Sequence, residues 1–192
     1  MLFRSLTSFL ERGIAGYRFD FYVVSAAPVE VVHSALEGIV PPDHVIAARF
    51  GWDANTGEVA SIVHVPAGYG KVSEVEALRV RLGVPRERLV YVGDGSSDIH
   101  VMLHVNRGDG LTIAASEAKY ISQIARRTVI SDDALSVLIP VLEEIGGYDA
   151  SQIRVLFEER GFLIQEWERV RTDWLTIKEG APATALESAG AA

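Results

Sequence analysis

The chain has 192 residues, a formal net charge of −8, 48% hydrophobic and 23% charged residues, and no cysteine. This is an ordinary globular composition with room for one sizeable core. It excludes disulfides and thiolate metal sites and makes the cytoplasm the expected compartment. There is no Lys/Arg cluster of the kind that marks nucleic-acid binding, and no apolar run of the roughly 18 residues that span a bilayer.

Leu2, Phe3, Leu6, Phe9 and Leu10 recur at helical spacing, and Gly13 to Gly16 end that helix. With Glu11 close behind and no small-residue cleavage pattern, the segment reads as part of the fold rather than as a targeting peptide. Phe19 to Val24 is aromatic and β-branched, which predicts a strand ending at Ser25-Ala26-Ala27-Pro28. Pro28 suits the first turn of a helix over about 29–36.

Pro41-Pro42 breaks the chain. Two strands, 45–52 and 59–65, follow as a hairpin around Asp53-Ala54-Asn55-Thr56-Gly57. Gly68-Tyr69-Gly70-Lys71 opens a helix with Val72, Val75, Leu78 and Leu82 on one face. A strand over 89–92, a helix over 99–105 and a strand over 111–114 come next. Then come a helix over 117–125, a brief strand over 128–130 and a helix over about 133–145 capped by Ser131 or Asp132.

Alternation of strand and helix predicts an α/β fold, a Rossmann-like parallel sheet with helices on both faces. Residues 1–148 form the expected core. Residues 149–178 read as a helical extension with Leu163, Trp167, Val170 and Trp174 on one stripe, and 179–192 as an Ala/Gly/Ser-rich disordered tail.

The densest chemical signal is Gly93-Asp94-Gly95-Ser96-Ser97-Asp98, directly after an apolar strand. Open parallel sheets bind ligands beyond the carboxyl ends of their strands. Ser25 and Ala26 stand at one such end, Asp94 and Asp98 at another, and Lys71 starts a helix after a glycine pair. A hydroxyl, backbone N–H groups and an ammonium suit a small anion, and one or two carboxylates suit Mg²⁺ shared with phosphate oxygens. Ser25, Ala26 and Lys71 are therefore the candidate phosphate-binding residues. Asp94 and Asp98 are the candidate metal residues, Asp98 acting through a metal-bound water or by holding Lys71. His100 and His104 stand four apart with no third ligand in view, which predicts packing or surface roles.

The ordered set Tyr22-Val23-Val24-Ser25-Ala26-Ala27, Gly70-Lys71-Val72 and Gly93 to Asp98 resembles the second, third and fourth motifs of the haloacid dehalogenase superfamily, in its phosphoserine-phosphatase-like branch. The similarity runs from about Gly13 to Ile145, and the hairpin at 45–65 looks like an insertion of that branch. The resemblance implies a Mg²⁺-dependent phosphomonoester hydrolase. It also implies a strand ending in Asp-x-Asp, whose first Asp is the nucleophile and whose second is the general acid and base. No Asp-x-Asp occurs in the sequence.

The first strand and the helical cap domain are thus expected to be absent, and the chain to be inactive alone. A vacant strand position would hold its neighbours roughly 9.6 Å apart. The neighbours could close up, a homo-oligomer or a strand-donating partner chain could fill the position, or the reading frame could be a truncated product of a longer gene. The alternative is a non-catalytic module that binds phosphate and Mg²⁺ or accepts a strand. Neither nucleic acid nor membrane is an expected partner.

Overall fold

The computed structural model describes residues 2–165 and Trp167. Its helices are α1 (Leu2–Glu11), α2 (Val29–Ala35), α3 (Tyr69–Leu82), α4 (Ile99–Arg107), α5 (Lys119–Ser122), α6 (Leu138–Glu144) and α7 (Ala150–Glu158). Its strands are β1 (Val23–Pro28), β2 (Val45–Trp52), β3 (Val59–His64), β4 (Val90–Gly93), β5 (Leu111–Ala114) and β6 (Arg127–Thr128). The predicted α/β architecture holds, with helices on both faces of parallel-rich sheets. The second helix expected before Ile177 and the tail expected from 179 lie outside the described residues.

The strands form two three-stranded sheets, ordered β1-β2-β3 and β4-β5-β6. β1 runs parallel to β2, β2 antiparallel to β3, and β4, β5 and β6 are all parallel. Among the described residues no ladder joins β1 to β4, so each has an unpaired edge. In β4, Leu89 and Gly93 carbonyls accept from Leu111 and Ala115 at 2.8 and 2.9 Å. By the alternation of a parallel ladder, the backbone groups of Val90 and Val92 then face away from β5. Val92 is 40% exposed, whereas every residue of β5 is buried.

The predicted strand over 19–24 is displaced. β1 pairs at Val23↔Val45 and Val24↔Ile46, because Pro41-Pro42 and the 3₁₀ turn Pro42–His44 fix where β2 begins. Phe19 to Tyr22 therefore precede the β1–β2 ladder. Instead Phe21 O bonds His44 Nδ1 at 2.9 Å, Tyr22 stacks on the His44 ring, and Phe19 and Phe21 pack on the helical core. Ser25 to Ala27 then bulge out before Pro28 pairs with Ala48. Ser25 lies within the strand, not after it.

The end of the predicted 133–145 helix is also rebuilt. Residues Ala134–Val137 form a 3₁₀ turn, capped by Asp133 rather than Ser131 or Asp132, and α6 follows. Pro140 has no N–H to give to the preceding turn, which favours the break ahead of α6. The helix expected over 117–125 shortens to α5, and the strand over 128–130 moves to β6.

The largest core cluster joins the two ends of the described chain. Leu6, Phe9, Leu10 and Ile14 pack with Leu135, Leu138, Leu142, Ile153 and Phe157. Smaller clusters seat α4 and α5 on the second sheet through Val101, Val105, Met102 and Ile121. Thr112, fully buried on β5, donates to Asn106 Oδ1 at 2.7 Å and accepts from Arg126 N–H at 2.9 Å, while Asn106 Nδ2 donates to Ile124 O.

Candidate functional site

The site is built where α3 and α4 start beside the carboxyl end of β4. The glycine of the β4 tip has a steric cause. A Cβ on Gly93 would stand 2.6 Å from Asp98 Cβ, so the Asp98 side chain folds back only over a glycine. Gly95 differs. Its backbone is extended, and a Cβ there would meet nothing within 4 Å. Neither the fold nor the backbone conformation requires a glycine at that position.

Asp98 is 3% exposed, and its two oxygens have four partners. Oδ1 accepts from Lys71 Nζ and from the Tyr91 hydroxyl, both at 2.6 Å. Oδ2 accepts from the N–H groups of Asp94 and Gly95, both at 3.2 Å. Burial pulls the Asp98 carboxyl upward, but the Lys71 ammonium, the Tyr91 hydroxyl and the Gly95 N–H outweigh it and leave the group below its ordinary value. Burial, then the adjacent Asp98 and Asp94 carboxylates, push the Tyr91 phenol upward, so it stays a donor.

Lys71 is 6% exposed and also donates to Ser97 Oγ at 3.3 Å. An ammonium has three N–H donors, and two of them are accounted for by Asp98 and Ser97. One remains for an outside acceptor. The Asp94 carboxylate is exposed at the tip of β4.

The structure thus brings Lys71 and Asp98 into one buried ion pair and puts Asp94 on the turn above it. Asp98 is engaged in holding Lys71 and the turn. Asp94 is the carboxylate free to meet a cation. Ser25 is half-buried in the β1 bulge, where its Oγ accepts from Ala27 N–H at 3.1 Å, and Ala26 is exposed beside it. Among the described residues, the hydrogen bonds of the Lys71–Asp98 cluster do not include Ser25 or Ala26.

Sequence reasoning missed Tyr91 and Ser97. Tyr91 read as an ordinary strand aromatic, although its place seven residues before Asp98 across a tight turn was available as a signal. His100 and His104 both pack α4 on α3. His104 Nε2 bonds Glu76 Oε1 at 2.7 Å and the His100 ring stacks on Tyr69. Among the described residues no group of three or more His, Asp or Glu side chains converges as a metal cage. Nor is any helix there long and apolar enough to cross a membrane.

The site is thus an acidic glycine turn at the carboxyl tip of a strand, backed by a buried lysine, in an α/β fold. The profile of the haloacid dehalogenase-like hydrolase family matches residues 12–103, just under half of the chain. The matched segment includes Ser25, Lys71, Asp94 and Asp98, and it supports a hydrolase of the haloacid dehalogenase type. Comparison with curated proteins returns no match.

Proposed function

We propose that this chain carries the phosphate- and Mg²⁺-binding part of a phosphomonoester hydrolase of the phosphoserine-phosphatase-like branch, and that it is inactive alone. The observation that carries the reading is the buried Lys71–Asp98 pair beneath the open Gly95 turn. Lys71 offers its remaining N–H to a phosphate oxygen, and the Ser25 hydroxyl, accepting from Ala27, keeps its own proton to donate. Asp94 would hold Mg²⁺, which is satisfied by one or two carboxylates with water and phosphate oxygens filling the rest. When bound, Mg²⁺ would offset the negative charge of a phosphate approaching an acidic turn.

With no Asp-x-Asp in the sequence, the aspartate nucleophile that the resemblance implies is missing. The test is calorimetric titration of the pure protein with inorganic phosphate, with and without Mg²⁺, alongside assay of a chromogenic phosphomonoester. Mg²⁺-dependent phosphate binding that is lost in Asp94→Asn, with no turnover, is the expected result. Absence of binding would overturn the site, and Mg²⁺-dependent turnover would overturn the inactivity.

The unpaired edges of β1 and β4 favour a second reading, a module that accepts an extended strand from a partner chain or a second copy. In that case amide protons of Val90 and Val92 would gain protection from exchange as the complex forms.

A further inference from the structure

Tyr69 is the first residue of α3 and is 72% exposed. Gly68 before it has φ +53° and ψ −118°, a conformation that favours glycine, and this turn swings the ring over the start of α4. There it stacks on the His100 imidazole, with ring centroids 4.0 Å apart and planes 20° off parallel. Tyr69 stands two residues before Lys71, and His100 two residues after Asp98. The same two helix starts are therefore joined twice, by the ion pair inside and by the ring stack at the rim. One face of Tyr69 is covered by His100 and held in place. The rest of the ring lies in water, an apolar surface for which the described residues provide no cover.

A half-covered ring beside an anion site is a platform for a second aromatic ring, because aromatic pairs in offset-stacked or edge-to-face contact gain beyond the area they bury. The geometry points to a phosphomonoester whose alcohol is planar and aromatic or heteroaromatic, its ring stacked on the open face of Tyr69 while its phosphate meets Lys71. This rests on the reading of the Lys71–Asp98 cluster as a phosphate site. Tyr69 and His100 are on that basis specificity residues rather than catalytic ones. The phosphate supplies charge common to every substrate, and the stack selects the shape of the group attached to it.

The test is titration of the full chain in Mg²⁺ with inorganic phosphate, ethyl phosphate, cyclohexyl phosphate and phenyl phosphate. Cyclohexyl phosphate matches phenyl phosphate in carbon count but is not flat. Phenyl phosphate is expected to bind roughly three- to tenfold tighter than cyclohexyl phosphate, the increment of one ring stack. That gap should close in Tyr69→Ala and persist in Tyr69→Phe, with inorganic phosphate affinity unchanged in both. Tyr69 is exposed, so neither variant threatens folding. If inorganic and ethyl phosphate bind but the phenyl preference is absent, or survives Tyr69→Ala, the platform is wrong and the phosphate site stands. If none of the four binds, both fail.

Discussion

At the scale of single residues, the two glycines of the β4 turn are alike in sequence and opposite in physics. Gly93 is required because the Asp98 side chain occupies the space a Cβ would need. Gly93→Ala is expected to destabilise by about 1–3 kcal/mol, the usual cost of forcing a methyl into filled space. Gly95→Ala is expected to leave stability within about 0.5 kcal/mol, since its Cβ would enter open space. Denaturant titration of the two variants measures the contrast. A stable Gly95→Ala protein should nonetheless bind phosphate more weakly, because the open space is where a ligand would approach the backbone.

Glu76 is a second residue whose environment decides its chemistry. Hydrogen bonds from Arg79 and His104, with Arg86 beyond, outweigh a small burial penalty and hold its carboxyl down from 4.5 to about 2. A carboxyl lowered by folding contributes stability above its unfolded value and loses that contribution as pH falls toward the folded one. The window here runs from about pH 4.5 down to about 2. Glu76→Gln should flatten the dependence of the urea midpoint on pH across that window. An unchanged slope would show that the partners do not hold the carboxylate in solution.

At the scale of elements, the motif turns were legible and their neighbours less so. Gly93 to Asp98 was readable because an apolar strand stopped at glycines and acids, and that local chemistry is what builds the turn. The β2–β3 hairpin was readable from Asp53, whose side chain accepts from the N–H groups of Asn55 and Thr56. The shift of β1 was not, because aromatic content said strand over Phe19–Tyr22 while the partner strand is cut off by Pro41-Pro42, a contact set more than twenty residues away. The role of Asp98 was half legible. Sequence offered metal or Lys71, and only the fold shows four donors converging on its carboxylate.

The Thr112 network belongs to this scale too, since it ties α4, β5 and the approach to β6 through one hydroxyl. Thr112→Val keeps the shape but strands Asn106 Oδ1 and Arg126 N–H. It should cost about 1–3 kcal/mol in thermal or denaturant unfolding, more than a methyl-for-hydroxyl swap at the surface.

At the scale of the whole molecule, two half-sheets share one crossover helix, α3, and the candidate site sits where that helix starts. Lys71 comes from that helix, while Asp94 and Asp98 come from the turn after β4. The sequence predicts a vacant strand position between the strand leading to Ser25 and the strand leading to Asp94, and among the described residues β1 and β4 lie at the edges of separate sheets.

The pairing of α1 with α6 and α7 has a consequence in time. The ribosome makes Leu6 and Phe9 about 150 residues before Phe157, and at roughly 5–20 residues per second that is a wait of roughly 8–30 s. During translation the greasy stripe of α1 meets Ile14, Phe19 and Phe21 early but lacks the larger share of its native cover until the chain reaches α6 and α7. The helix made before all the others among the described residues has its packing completed only when α6 and α7 arrive.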